Sequence, residues 1–352
     1  METITLDPST RLPLLKAQSR VSNAPSTLPI SKTHTHPLTT TPSGRENASI
    51  YFIGTATTVL SWHGIRILTD PNFLHAGDHV HLGPGVQGTR RTNPAVDIGQ
   101  LPPVDCVLLS HYHEDHFDAV VEGALRRDFP IVSTPHAAKA LGGKEEPFTN
   151  VQALDCWEGL RMGIASEGGA EVKVTAMPGK HVPPGPLAVA NDLLNAVPPT
   201  NGWMLDLNYT DSSTADSTST ATAATPPESG KKPGYRIYIS GDTLFVDDLK
   251  AIPQHFQDAG IDLMLIHLGG TSIPSPSAPL VMVTMDAKQG LQLMQLLEPD
   301  VTIPIHFDDY DVFMSPRGDF EREVEREGRG KGVVYLERGE EYRFEVRGGG
   351  GV

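Results

Sequence analysis

Cysteine is almost absent from this chain, with 2 in 352 residues, so no disulfide framework can hold it together. The two are Cys106, inside an apolar run, and Cys156; they read as small core residues and fit a reducing compartment. Apolar runs of bilayer length are also missing, so no transmembrane helix is expected. The first residues lack the apolar core of a secretory signal, and the expected location is cytoplasmic. Positive charge is scarce: 28 Lys and Arg stand against 43 Asp and Glu, a net charge of −15. That balance argues against a general surface for nucleic acid or anionic membrane, while leaving room for a local basic pocket. The expected partner is a small-molecule substrate, with no nucleic acid; membrane contact and oligomeric state are left open.

What is abundant is glycine and proline, 34 and 30 residues, the mark of a globular core diluted by loops. Residues 1–47 are rich in Ser, Thr and Pro without a sustained period and read as a disordered tail. His34 and His36 lie in it and are assigned no metal role. From residue 48 to 347 one domain is expected, interrupted at 210–232 by a Ser/Thr/Ala/Pro tract that reads as a surface insertion between two strands.

The densest chemistry is in Val104-Asp-Cys-Val-Leu-Leu-Ser-His-Tyr-His-Glu-Asp-His-Phe117. A short buried strand, preceded by Pro102-Pro103, delivers His111, His113, Asp115 and His116 at its end. Imidazole and carboxylate are ligands shared by zinc, manganese and iron, so the cluster points to a metal site. Alternate residues of an extended chain face the same way, which lets His111 and His113 share one ion while Asp115 and His116 face another.

Other strands end in the same groups. Ala48–Gly54, Thr57–Trp62 and Ile65–Thr69 read as strands, the last two a hairpin, stopping at Asp70, a turn former or a partner orienting a ligand histidine. Val172–Met177 runs into His181. Tyr235–Ser240 runs through Gly241 into Asp242, where the glycine permits close approach to an ion. Val301–Ile305 ends at His306. His181, Asp242 and His306 are therefore further ligand candidates, and His267, after Ile261–Ile266, is within possible reach of the same pocket. The long loop 72–103 is expected to border that pocket. In it, Arg90 and Arg91 are candidates for holding an anionic substrate group, whereas His75, His79 and His81 read as solvated. Helices are expected over 118–127, 135–141, 244–252 and 320–329, and over 284–297 with Thr284 as cap. The alternation of strand and helix gives an α/β layered domain.

The motif His111-Tyr-His113-Glu-Asp115-His116, followed by His181, Asp242 and His306, resembles the HxHxDH ligand sequence of the metallo-β-lactamase superfamily. Leu101–Ser110, Ile239–Thr243, Val283–Ala287 and Ile303–His306 look most like the branch of ascorbate-6-phosphate lactonase-like enzymes and the N-acyl-phosphatidylethanolamine phospholipase D. Glu114 departs from the residues usual at its position in that branch. The resemblance implies a four-layer αββα sandwich, two mixed sheets flanked by helices, with metals at one edge. It implies one ion on His111, His113 and His181, a second on Asp115, His116 and His306, and Asp242 between them.

The implied activity is a dinuclear metal-dependent hydrolase of lactonase-like or phosphodiesterase-like type. Two divalent ions acidify a bridging water to hydroxide, polarise a carbonyl or phosphoryl oxygen and remove the need for a side-chain nucleophile. Asp115 would orient that hydroxide as the catalytic residue. Zn²⁺ suits the donor set best, with Mn²⁺ or Fe²⁺ as alternatives. An ester, lactone or phosphodiester is the expected target; the rival readings are a di-iron redox protein and a non-catalytic metal-binding protein of the same fold.

Overall fold

The computed structural model describes residues 1–18, 24–39, 43–83, 85–165, 169–194, 196–209, 233–257, 259–275 and 278–348. Its strands, in chain order, are β1 (Glu2–Leu6), β2 (Lys32–His34), β3 (Ala48–Gly54), β4 (Thr57–Trp62), β5 (Ile65–Thr69), β6 (His79–His81), β7 (Gln87–Thr89), β8 (Cys106–Leu108), β9 (Ile131–Ser133), β10 (Val151–Ala153), β11 (Gly159–Ile164), β12 (Ala170–Met177), β13 (Gly202–Tyr209), β14 (Tyr235–Ile239), β15 (Leu263–His267), β16 (Ser272–Ser275), β17 (Ala278–Met282), β18 (Val301–Ile305) and β19 (Glu340–Phe344). The helices are α1 (Ala119–Ala124), α2 (Pro135–Gly142), α3 (Pro186–Leu194), α4 (Ile252–His255), α5 (Ala287–Leu297) and α6 (Arg317–Arg326).

Two mixed sheets carry the fold. One runs β1-β11-β12-β13-β14-β15-β18 and the other β10-β9-β8-β5-β4-β3-β19-β2. Side chains alternate between the faces of each strand, and the apolar pattern uses both faces. In β15, Leu263 and Leu265 point between the sheets while Met264 and Ile266 point out. In β8, Cys106 and Leu108 point in and Val107 points out. The inner faces meet in one core, Ile50, Phe52 and Ile67 opposite Val174, Leu205, Ile237 and Ile303. The outer face of the second sheet packs under Val121, Leu125, Ala137 and Leu141 of α1, its C-cap and α2. That of the first packs under Leu291 and Met294 of α5 and Phe320 of α6. Each such side chain, fully buried, contributes about 1.5–3 kcal/mol. The αββα expectation holds, with fewer helices than strands.

Several local expectations differ from what is found. The head is not disordered throughout: β1 adds in parallel to β11, β2 adds in parallel to β19, and Leu14 and Leu15 enter a core. Short alternating segments such as Thr3-Ile-Thr-Leu6 gain their order from the sheet edge that they pair with, which composition does not reveal. The expected 244–252 helix is a 3₁₀ turn, Asp247–Ala251, followed by α4. Helix α5 is capped by Asp286, whose carboxylate accepts from Gln289 N at 2.9 Å, rather than by Thr284. Strands β6 and β7, within the expected loop 72–103, strands β11, β16 and β17, and helix α3 have no counterpart in the sequence reading. The expected insertion 210–232 lies outside the described residues.

Candidate metal centre

The site is built at one edge of both sheets from the segments that leave the strands. The second sheet supplies Asp70 after β5 and the His111–His116 stretch beyond β8; the first supplies His181 beyond β12, Asp242 beyond β14, His267 at the end of β15 and His306 after β18. Asp70 and His306 have φ of 35° and 61°. For residues with a Cβ this left-handed conformation is strained, and it turns each side chain off its strand into the site. Gly241, at φ 61°, lies so close to Asn201 O that a Cβ there would collide with it, which accounts for a glycine just before Asp242.

Three groups of donors result, each with its ligand atoms within 4.8 Å of one another: His111, His113 and His181; Asp115, His116, Asp242 and His306; and Asp70, His116 and His267. All of these residues are buried except His113, which is half-buried. His116 Nε2 is 3.4 Å from Asp242 Oδ1, and His306 Nε2 is 3.5 Å from Asp115 Oδ2. The rings of His111 and His116 lie 4.2 Å apart, linking the first two groups.

Hydrogen bonds fix how the rings face. His181 Nδ1 donates to Val283 O at 2.7 Å and His306 Nδ1 to Leu268 O at 3.0 Å, leaving each Nε2 lone pair for the site. Asp70 accepts from Ser110 N at 2.7 Å and Ser110 Oγ at 2.9 Å, and it holds His116 Nδ1 at 3.1 Å. Of the two readings of Asp70, it is the orienting partner of His116. Thr284 donates to Asp242 Oδ2 at 2.9 Å. Ser110 and Thr284 are not legible as site residues in the sequence: Ser110 has only its place before His111, and Thr284 reads as a helix cap.

The donor set fits a cation. His111 Nε2, His113 Nε2, Asp115 Oδ1, His116 Nε2, Asp242 Oδ1 and His306 Nε2 are buried without a hydrogen-bond partner. Leaving one such group unsatisfied costs about 1–3 kcal/mol, so their convergence calls for positive charge among them. Burial, with the neighbouring imidazoles, drives the His111 pKa well below its ordinary value; burial takes His113 down to about 3. Both are thus neutral, as ligation requires. Burial also penalises charge on Asp115 and Asp242. It is outweighed by His116 beside Asp115, which goes down to about 2, and by His306 and His116 beside Asp242, which goes well below the carboxylate range.

Other candidates fall outside this cluster. Arg90 is 1% exposed and bonds Asn72 Oδ1 and Thr92 O, with Asp309 at 3.5 Å. Its burial and its bonds through Nε and Nη1 make it framework; Nη2, without a hydrogen-bond partner, faces Asp309 in the interior. Arg91 is exposed. His75 pairs with Asp97 at 2.7 Å, His79 with Thr89 at 3.2 Å, and His34 with Glu340 at 2.8 Å. His36 accepts from Leu38 N at 3.3 Å in its own turn. Glu114 accepts from His81 N at 2.6 Å and so ties β6 to the ligand segment. A cavity of about 480 Å³ opens beside His113, with Tyr112, Glu114, Arg127 and Lys144 on its wall. Cys106 and Cys156 are both free, in keeping with the expected absence of a disulfide framework. Among the described residues no helix is long and apolar enough to cross a membrane.

Two facing sheets with His and Asp clusters at one edge define a metallohydrolase-type fold. It is similar to the crystal structure of isothiocyanate hydrolase from Delia radicum gut bacteria, with TM-score 0.60, 19% identity, and 84% of this chain and 99% of that one covered. Residues 65–307 match the Beta-lactamase superfamily domain, more than half of the chain, and the protein belongs to that family. A UPF0173 metal-dependent hydrolase of Nanoarchaeum equitans is 24% identical over 231 residues, 66% of this chain and 82% of the relative. The mitochondrial N-acyl-phosphatidylethanolamine-hydrolyzing phospholipase D of Saccharomyces cerevisiae is 32% identical over 112 residues, 32% of this chain and 23% of its own. The protein is a metal-dependent hydrolase of the metallo-β-lactamase fold.

Proposed function

We propose that the chain hydrolyses an ester, lactone or phosphodiester bond of a small molecule with the help of two divalent ions. His111, His113 and His181 would hold one, and Asp115, His116 and His306 the other, with Asp242 shared. The observation that carries this reading is the set of buried, unpartnered donor atoms, six of which fall into two adjoining groups. When bound, the ions supply an acidified water and positive charge for a substrate oxygen. Asp115, whose Oδ1 is unpartnered, would orient the attacking water. The cavity beside His113 is where the substrate would lie, with Lys144 and Tyr112 on its wall. Zn²⁺ suits five imidazoles with two carboxylates best, ahead of Mn²⁺ or Fe²⁺. The phosphodiester option draws support from the yeast phospholipase.

The test pairs elemental analysis with hydrolysis of a lactone, a thioester and a phosphodiester by wild type, Asp242→Ala and Asp115→Asn. About two ions per wild-type chain are expected, with turnover of one substrate class. Asp242→Ala should bind less metal and lose turnover, and Asp115→Asn should slow turnover by roughly 10²–10⁴-fold. A wild-type chain that takes up no ion after reconstitution with Zn²⁺, Mn²⁺ or Fe²⁺ would overturn the reading.

A further inference from the structure

His267 is fully buried at the end of β15, and neither proposed ligand set uses it. Its surroundings are nonetheless built for it. Its backbone N–H donates to Ser240 Oγ at 2.9 Å, and its Nδ1 lies 3.2 Å from the same hydroxyl. Its Nε2 has no hydrogen-bond partner within ordinary range and faces Asp70 Oδ2 at 3.6 Å. Its ring lies nearly parallel to that of His116, 15° apart in plane with centroids 5.9 Å apart.

A neutral imidazole has one N–H to place. On Nδ1 the proton would meet a serine oxygen that already accepts one N–H, and an Nε2 lone pair would face a carboxylate. On Nε2 it meets that carboxylate, and the serine hydroxyl, directed to Gly241 O at 3.0 Å, can turn to donate to Nδ1 at 3.2 Å. Electrostatics therefore selects the Nε2–H tautomer, aimed at Asp70. Asp70 is the carboxylate that receives Ser110 N and Ser110 Oγ and holds His116 Nδ1, from a left-handed backbone with φ of 35°.

We propose that His267 is a positioning residue for the second ion. Through Nε2–H it braces Asp70, Asp70 fixes the Nδ1–H of His116, and His116 thereby presents Nε2 to the metal. The relay Ser240–His267–Asp70–His116 begins in the first sheet and ends in the second, so it also sets the separation of the ligands that the two sheets contribute. The third cluster of donors is, on this reading, an electrostatic support and not a third ion site, because His116 Nδ1 is occupied by Asp70.

This inference rests on the two-ion reading above, and its test separates the two. Zn²⁺ alone is titrated against a chromophoric chelator in wild type, His267→Gln, His267→Asn, Asp70→Asn and the Asp70→Asn, His267→Asn double variant. Glutamine sets an amide donor near the Nε2 position, whereas asparagine reaches only the Nδ1 position. His267→Asn should weaken one of the two Zn²⁺ affinities by about 10–100-fold and leave the other unchanged. His267→Gln should stay close to wild type. The double variant should bind no more weakly than Asp70→Asn alone, since both changes break one relay. Equal behaviour of Gln and Asn, both affinities unchanged in Asn, or additive losses in the double variant would each overturn the role. So would a His267→Asn chain that fails to fold while His267→Gln folds, because that outcome makes the residue a packing element. A wild-type chain binding none of Zn²⁺, Mn²⁺ and Fe²⁺ would sink both readings; two Zn²⁺ ions bound alike by every variant would sink only this one.

Discussion

Arg90 shows how burial changes what a residue type means. In the sequence it sits in a long loop beside a metal motif, where an anion-holding role is the natural expectation. In the fold its guanidinium is locked onto Asn72 and Thr92 O and lies 5.2 Å from the centroid of the Tyr310 ring. Asn72 in turn donates to Glu114 O at 3.0 Å and Tyr310 Oη at 2.9 Å, so Arg90 supports the segment that carries the ligands. Arg90→Ala should therefore lower unfolding stability by about 1–3 kcal/mol, the consequence of leaving the buried Asn72 Oδ1 without its donor, while Asp309 keeps Arg338, Thr92 and Thr55 as partners. Denaturant midpoints of the metal-free chains would measure it. A raised KM with unchanged stability would restore the anion-holding role instead. By contrast His111, His113, Asp115 and His116 were legible from residue type and spacing alone. Imidazoles and carboxylates this dense at the end of an apolar run have few other uses, whereas a lone arginine has many.

At the scale of elements, legibility followed how self-sufficient each segment is. Strands with long β-branched or aromatic runs, β3, β4, β5 and β14, fall where the pattern puts them. The head strands β1 and β2 do not, because their order comes from partners far away in the chain. Helix α5 was legible as a helix and misread at its start. Both Thr284 and Asp286 are capping residue types, and only the fold shows that the Thr284 hydroxyl is directed to Asp242 instead. The two positions should separate cleanly on mutation. Asp286→Ala removes the cap and should lower stability by about 1 kcal/mol without altering Zn²⁺ affinity. Thr284→Val keeps the cap but frees Asp242 Oδ2, and should weaken Zn²⁺ binding by about 10–100-fold, as loss of an outer support does. Urea unfolding and chelator competition on both variants check the pair, and the reverse pattern would return Thr284 to the helix.

For the whole molecule the site is a staple, since one sheet supplies His181, Asp242 and His306 and the other supplies the His111–His116 stretch. An ion bound by the folded chain alone adds about 4 kcal/mol at a free concentration a thousandfold above its dissociation constant, so chelation should lower the melting temperature. Its pH dependence follows from signs. In the metal-free site burial pushes His116 and His306 down, but Asp242 and its fellow carboxylates outweigh it and raise both pKa values above 6.5. Their contribution is complete below 6.5 and is lost as pH rises through the raised values. Burial lowers His111, His113, His181 and His267, so the unfolded chain binds more protons there and stability falls as pH drops below 6.5. The imidazole contribution in the metal-free protein should peak near that value. Metal requires neutral imidazoles and takes over the charge that His116 and His306 carried, which removes the alkaline loss. The gap between melting temperatures with Zn²⁺ and with chelator should therefore widen as pH rises from about 6.5 through the raised values. A metal-free melting temperature that keeps climbing over that interval would show that the imidazolium–carboxylate contacts do not hold the two sheets together.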